Sequence, residues 1–223
     1  MNICVLVPAY NEKAALGNVV KAVLQHDLDV VVIDDGSTDG SGTIAATAGA
    51  YVLRNDHRMG KGFSLRKGFT WAVKQGYDGV ITLDGDGQHD PADLDNFLQK
   101  AMEQPSSVIV GNRMQATREM PILRRMTNRI MSGLISYACH VSIPDTQCGY
   151  RYIGAEVLRS FEFMSGDFEI ETEILMKASR KGFPIFNVPV KTIYRDEKSK
   201  IKPFKDTIRF IIYFYREIFS GDN

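Results

Sequence analysis

The feature that most constrains this chain is an alternation in its first half. Short runs rich in Val and Ile lie at Ile3–Val7, Val30–Ile33, Tyr51–Leu53, Val80–Leu83 and Val108–Val110, each bounded by Gly, Asp, Asn or Pro. Runs of this length and composition predict strands of a sheet buried on both faces. Between them, Leu16, Val19, Val20, Val23 and Leu24 share one helix face, and Leu94, Phe97, Leu98 and Ala101 repeat the pattern behind Pro91. This alternation predicts an α/β fold, a mostly parallel central sheet flanked by helices. Ligands of such sheets bind beyond the carboxyl ends of the strands. The polar clusters Pro8–Glu12, Asp34–Asp39 and Asp84–His89 fall there.

The second half is less regular. Helices are predicted over Ile122–His140 and Phe168–Lys181, an extended segment over Pro184–Tyr194, and an aromatic-rich helix over Thr207–Phe219. No Gly-, Ser- or Pro-rich linker and no repeat divides the chain. It reads as one domain over 1–200 with an amphipathic helical tail over 201–223.

Composition narrows the classes. The 27 basic and 27 acidic residues cancel, which excludes a generally basic nucleic-acid binder. The 3 cysteines, Cys4, Cys139 and Cys148, are too few for a disulfide framework and fit a reducing cytoplasm. No signal peptide is apparent, and no run approaches the roughly 20 apolar residues that span a bilayer.

Asp84-Gly-Asp86-Gly-Gln88 follows the apolar run ending at Leu83. Two carboxylates in so tight a turn repel unless a cation or proton neutralises one of them. A hard divalent ion that keeps its waters and binds a diphosphate meets that need; an ordinary solvated Asp-Gly turn is the plain alternative. Haloacid-dehalogenase-type phosphatases also use Asp-x-Asp, but on their first strand and with Thr or Val where Gln88 stands. The segment Asn55–Gly62 fails the spacing of an ATP phosphate loop, and no GxGxxG follows the first strand. Ser37 to Asp39 are accounted for as a turn and helix cap.

Taken together these residues resemble family 2 glycosyltransferases of the GT-A fold, and more narrowly the dolichol-phosphate mannose synthase and polyprenyl-phosphate sugar synthase branch. The resemblance rests on Val7–Glu12, Asp34–Asp39, Gly60-Lys61-Gly62 with Arg66 and Gly68, Leu83–Pro91, Gly111-Asn112-Arg113, Asp145–Arg151 and Val188–Val190, in the family's order. It implies an inverting transfer of a hexose from a nucleotide sugar of the GDP-mannose or UDP-glucose type to a polyprenyl phosphate. Transfer to a hydroxyl acceptor, or a non-catalytic nucleotide-sugar-binding role, is the alternative.

The resemblance also implies roles. Pro8, Tyr10, Glu12 and Asp35 would hold base and ribose, with Lys61, Arg66 and Asp84 completing the nucleotide-sugar site. Asp86 and Gln88 would ligate Mg²⁺ or Mn²⁺. Asp86, Arg113, Arg195 and Lys200 would serve catalysis, and Arg113, Arg129, Asp145, Arg195, Ser199 and Lys200 the acceptor. Cys148 stands where the family often has Ser, and the Gln-x-x-Arg-Trp motif of processive synthases is absent.

The residue types fit an anionic acceptor. Between Arg113 and Arg129 lie 5 arginines and 1 acid, Glu119, and arginine's planar fork suits phosphate. A hydroxyl acceptor would need a base, for which Glu169 and Glu173 are candidates, Glu171 being expected on another face. The tail sets Phe204, Ile208, Ile211, Ile212, Phe214, Tyr215, Ile218 and Phe219 among Lys202, Lys205, Arg209 and Arg216. That composition fits a helix lying on an anionic bilayer, or one packed on the body or on a second copy. The expectation is a peripheral enzyme on the cytoplasmic membrane face, with room for a homo-oligomer.

Overall fold

A computed structural model describes residues 1–114 and 120–193. Segments 115–119 and 194–223 lie outside the described residues, so Arg195, Ser199, Lys200 and the tail over 201–223 are not placed.

The strands are β1 (Ile3–Ala9), β2 (Asp29–Asp34), β3 (Tyr51–Arg54), β4 (Gly79–Thr82), β5 (Val108–Asn112), β6 (Arg151–Gly154) and β7 (Ile185–Pro189). The helices are α1 (Leu16–Leu24), α2 (Ser41–Thr47), α3 (Lys61–Gln75), α4 (Leu94–Glu103), α5 (Ile122–Cys139), α6 (Ala155–Arg159) and α7 (Ile170–Arg180). One seven-stranded sheet runs β3-β2-β1-β4-β6-β5-β7. Pairs β1–β2, β1–β4, β2–β3 and β5–β7 are parallel, whereas β6 is antiparallel to both β4 and β5. The sheet is mostly parallel as expected, and a single reversed strand makes it mixed.

The apolar runs form the core: Cys4, Val5, Leu6 and Val7 are fully buried, as are Val31, Val32, Ile33, Val80 and Ile81. On α1, Leu16, Val19, Val20 and Val23 face inward as their spacing predicts. The entry to α4 is a 3₁₀ turn at Pro91–Asp93, capped where Ala92 N–H donates to Asp90 Oδ1 at 3.0 Å. Because β2 and β4 flank β1 on opposite sides, the strand order reverses at β1, the position where such sheets open a crevice beyond the strand ends. Pro8 pairs with Ile33 and Leu6 with Thr82. That register brings the polar clusters after β1, β2 and β4 to one edge.

Candidate active site

The turn after β4 is held from several sides. Asp84 Oδ1 lies 2.6 Å from Lys61 Nζ, and Lys61 also donates to Glu171 Oε1 at 2.8 Å. His89 Nε2 lies 3.3 Å from Asp84 Oδ2, and its ring packs on Tyr150 with centroids 5.2 Å apart. Asp86 Oδ1 accepts the Gln88 N–H at 2.9 Å, and Gln88 O accepts Ile193 N–H at 2.8 Å. Asp84, Asp86 and Gln88 are half-buried. Gly149 passes so close that a Cβ there would meet Asp84 Oδ2 at 2.7 Å, so glycine is required for the approach.

Lys61 reaches this turn because α3 begins where the chain is pressed against the segment before α7. A Cβ on Gly60 would run into Gly166 O, and one on Gly62 would meet Ser165 O at 2.5 Å. Gly60 also adopts φ +102°, a left-handed region that disfavours other residues. The Gly60-Lys61-Gly62 pattern is therefore a packing requirement that places one cation between two acids.

Electrostatics separates the two aspartates. Burial opposes ionisation of Asp84, but the Lys61 charge outweighs it and holds the carboxyl far below its ordinary range. Burial and the Asp84 charge push Asp86 upward instead. Among the described residues no group of three or more His, Cys, Asp or Glu side chains could hold a metal. Asp86 and Gln88 offer hard oxygen donors but an incomplete set. Such a set fits an ion that keeps waters and shares a diphosphate.

The nucleotide side is built from the ends of β1 and β2. Pro8, Tyr10 and Glu12 are half-buried there, and the Arg58 guanidinium stacks 4.5 Å from the Tyr10 ring centroid. Asp35 spends its carboxylate internally, accepting from Asn55 Nδ2 at 2.9 Å, Met59 N–H at 2.8 Å and Gly60 N–H at 2.9 Å. Arg66 points away from the turn and donates to Phe163 O at 3.0 Å, bracing the segment on which Gly60 and Gly62 rest.

The acceptor candidates divide. Arg113 is buried, its fork closed on Asp145 through Nε at 2.7 Å and Nη2 at 2.9 Å. Asn128 Nδ2 donates to the same carboxylate at 2.8 Å. Burial opposes the Asp145 charge, but Arg113 outweighs it and keeps the carboxyl below its usual range. Arg129 lies in a cleft of about 650 Å³ with Arg125, Met114, Ser132, Ser136 and Pro144.

Three residues carry roles that the sequence did not disclose. Glu171 lies on another face from Glu173, as expected, but that face is the one toward the acidic turn: it is buried and tied to Lys61. Glu173, a candidate base, instead accepts Met164 N–H and Ser165 N–H at 2.8 Å each and pairs with Lys177 at 2.8 Å. Arg151 is 1% exposed and donates to the carbonyls of Cys148, Glu171 and Thr146, stitching the strand to the loop before it and to the first turn of α7. Its place at the end of the Asp145–Arg151 motif was the available signal.

This fold and this acidic turn define a GT-A nucleotide-sugar transferase. The crystal structure of glucosyl-3-phosphoglycerate synthase from Mycobacterium tuberculosis with UDP superposes with a TM-score of 0.81 at 18% identity, over 100% of this chain and 82% of that one. The family model described as glycosyl transferase family 2 matches residues 4–161. The chain belongs to that family and is a glycosyltransferase. It is 30% identical to glycosyltransferase AglJ of Haloferax volcanii, over 96% of this chain and 71% of the relative. It is 29% identical to the undecaprenyl-phosphate mannosyltransferase of Micrococcus luteus, over 88% and 85%.

Proposed function

We propose that this enzyme transfers a hexose from a nucleoside-diphosphate sugar, with the help of Mg²⁺ or Mn²⁺, to an acceptor in the cleft beside Arg129. The observation that carries the reading is Asp86. It is half-buried, pushed toward protonation by burial and by Asp84, and has no ion pair among the described residues. A divalent cation at Asp86 and Gln88, shared with the donor's diphosphate, supplies the missing charge and stabilises the leaving group. Mn²⁺ accompanies UDP-glucose in a structure of the mycobacterial synthase.

The chain's own residues then divide the work. Pro8, Tyr10 and Glu12 flank the base and ribose, and Asp35 shapes that side by holding the Met59–Gly60 turn. Asp84 touches the nucleotide while Lys61 balances its charge. Arg113 and Asp145 form one rigid unit that fixes the wall of the acceptor cleft, and Arg129 presents a cation inside it.

A hydroxyl-bearing acceptor is supported by the solved neighbour, whose structure with Mn²⁺ and UDP also contains phosphoglyceric acid. On this reading a carboxylate must take the hydroxyl proton. Of the acids that α7 offers, Glu171 reaches the site, whereas both oxygens of Glu173 are engaged. A polyprenyl-phosphate acceptor is the second reading, supported by relatives such as the undecaprenyl-phosphate mannosyltransferase. Its oxygen is already anionic and needs no base, and it would place the enzyme at the cytoplasmic membrane face. Among the described residues no helix is long and apolar enough to cross a membrane.

Incubation with radiolabelled nucleotide sugars, Mn²⁺ and either lipid extract or phosphorylated small hydroxyl compounds tests the reading. A labelled product stable to mild acid supports the hydroxyl acceptor. An acid-labile, solvent-extractable product supports the lipid phosphate. Absence of transfer from every donor would overturn the proposal.

A further inference from the structure

The loop between β3 and α3 brings one cation to the base side of the donor site and holds it there. Arg58 is exposed, and its guanidinium lies over the Tyr10 ring, 4.5 Å from the centroid. The backbone around it is gripped from two sides. Asp35 accepts the N–H groups of the next two residues, Met59 at 2.8 Å and Gly60 at 2.9 Å. Gly36, at φ +73°, lets the loop come so near that a Cβ there would meet His57 C at 2.7 Å and Arg58 N at 3.0 Å. A glycine in the left-handed region and a buried carboxylate thus both serve to place this stretch of loop. The side chain that they place is unspent. Apart from the ring contact, no hydrogen bond or ion pair among the described residues takes up the Arg58 N–H groups.

We infer that Arg58 selects the base of the donor and that this base is guanine, an inference that rests on the nucleotide-sugar reading and names its donor class. A guanidinium fork carries paired N–H donors and no acceptor. Guanine offers it two adjacent acceptors, O6 and N7, which such a fork takes bidentately, whereas uracil has a C–H beside its O4 on the corresponding edge. Adenine sets a donor, its amino group, beside N7. The two carboxylates that end β2 cannot read the ring N–H that guanine and uracil share. Asp34 is fully buried and takes the Ser37 N–H at 2.8 Å. Asp35 is 4% exposed, and its two oxygens already accept from Asn55, Met59 and Gly60. With both withdrawn into the loop, this side of the site recognises a base through donors, and the Tyr10 ring braces the fork that supplies them.

The test measures dissociation constants of the full chain for GDP, 7-deaza-GDP and UDP by titration calorimetry in the presence of Mn²⁺. GDP is expected to bind about tenfold more tightly than UDP, and 7-deaza-GDP, which lacks the N7 acceptor, to fall toward the UDP value. Arg58→Ala should weaken GDP by that factor and UDP far less. Arg58→Lys keeps the charge and loses the fork, so it should recover only part of the preference. Melting temperatures without nucleotide verify that both variants are folded, as the exposure of Arg58 leads one to expect. Equal affinity of the wild type for GDP and UDP overturns the inference, as does 7-deaza-GDP binding as tightly as GDP. Equal weakening of GDP and UDP by Arg58→Ala also overturns it, since the residue would then act through its charge alone. Each of these results leaves the nucleotide-sugar reading standing. If neither GDP nor UDP binds with Mn²⁺, that reading falls and the inference falls with it.

Discussion

Lys61 Nζ sits 2.6 Å from Asp84 and 2.8 Å from Glu171, so one half-buried ammonium joins the turn after β4 to the start of α7. The contact is an internal counter-charge at the place where a nucleotide sugar needs positive charge. Lys61→Met leaves two carboxylates close together without their cation. Removing one partner of such a cluster costs about 3–5 kcal/mol when the charges are buried, and about half of that is expected here because Asp84 is partly exposed. The same variant should gain more melting temperature from added Mn²⁺ than the wild type does. Thermal unfolding with and without the ion checks both statements.

The Arg113–Asp145 pair makes a different prediction. Both side chains are buried, and Asp145→Asn strands the guanidinium, at a cost of about 3–5 kcal/mol. Because Arg113 holds the folded Asp145 carboxyl below its unfolded value of ~3.9, its contribution is present above that pH. It is lost as pH falls through the lowered folded value. Denaturant melts between neutral and strongly acid pH should therefore show a shallower acid loss in Asp145→Asn than in the wild type.

How much of this was legible in sequence depended on the physical origin of each feature. The strands from β1 to β5 and the faces of α1 and α4 follow from hydrophobic spacing, which the core imposes directly. Strand β6 escaped because Arg151-Tyr152-Ile153-Gly154 carries an arginine and a tyrosine instead of a Val- or Ile-rich run, and its reversal depends on where the chain returns after α5. The acidic turn was visible because Asp84-Gly-Asp86 is a local motif. The role of Glu171 was not, since its partner Lys61 is 110 residues away in sequence and only the fold brings the two together. Arg113 was expected at a phosphate, and only the fold discloses that Asp145, distant in sequence, occupies its fork.

Glu171 and Glu173 separate the two acceptor readings. Glu173→Gln removes the Lys177 pair and weakens two backbone contacts, so it should cost about 1–3 kcal/mol of stability and leave the rate of folded enzyme near wild type. Glu171→Gln should slow transfer to a hydroxyl by roughly 10²-fold or more, the usual worth of a general base, and leave transfer to a lipid phosphate nearly unchanged. Initial rates with each acceptor class provide the comparison.

Buried Arg151 predicts a purely structural loss. Arg151→Leu leaves the carbonyls of Cys148, Glu171 and Thr146 without donors, and each such orphan costs about 1–3 kcal/mol. A large drop in the unfolding midpoint is expected, and Arg151→Lys should recover only part of it because lysine lacks the planar fork.

The central claim is that Asp86 and Gln88 anchor the charge that the leaving nucleoside diphosphate requires. Its most direct measurement is the initial rate of labelled hexose transfer by Asp86→Ala across a Mn²⁺ titration, with the melting temperature verified. The expected rate is roughly 10²–10³-fold below wild type and is not restored by added metal. Transfer by Asp86→Ala at the wild-type rate, with the same metal dependence, would contradict it.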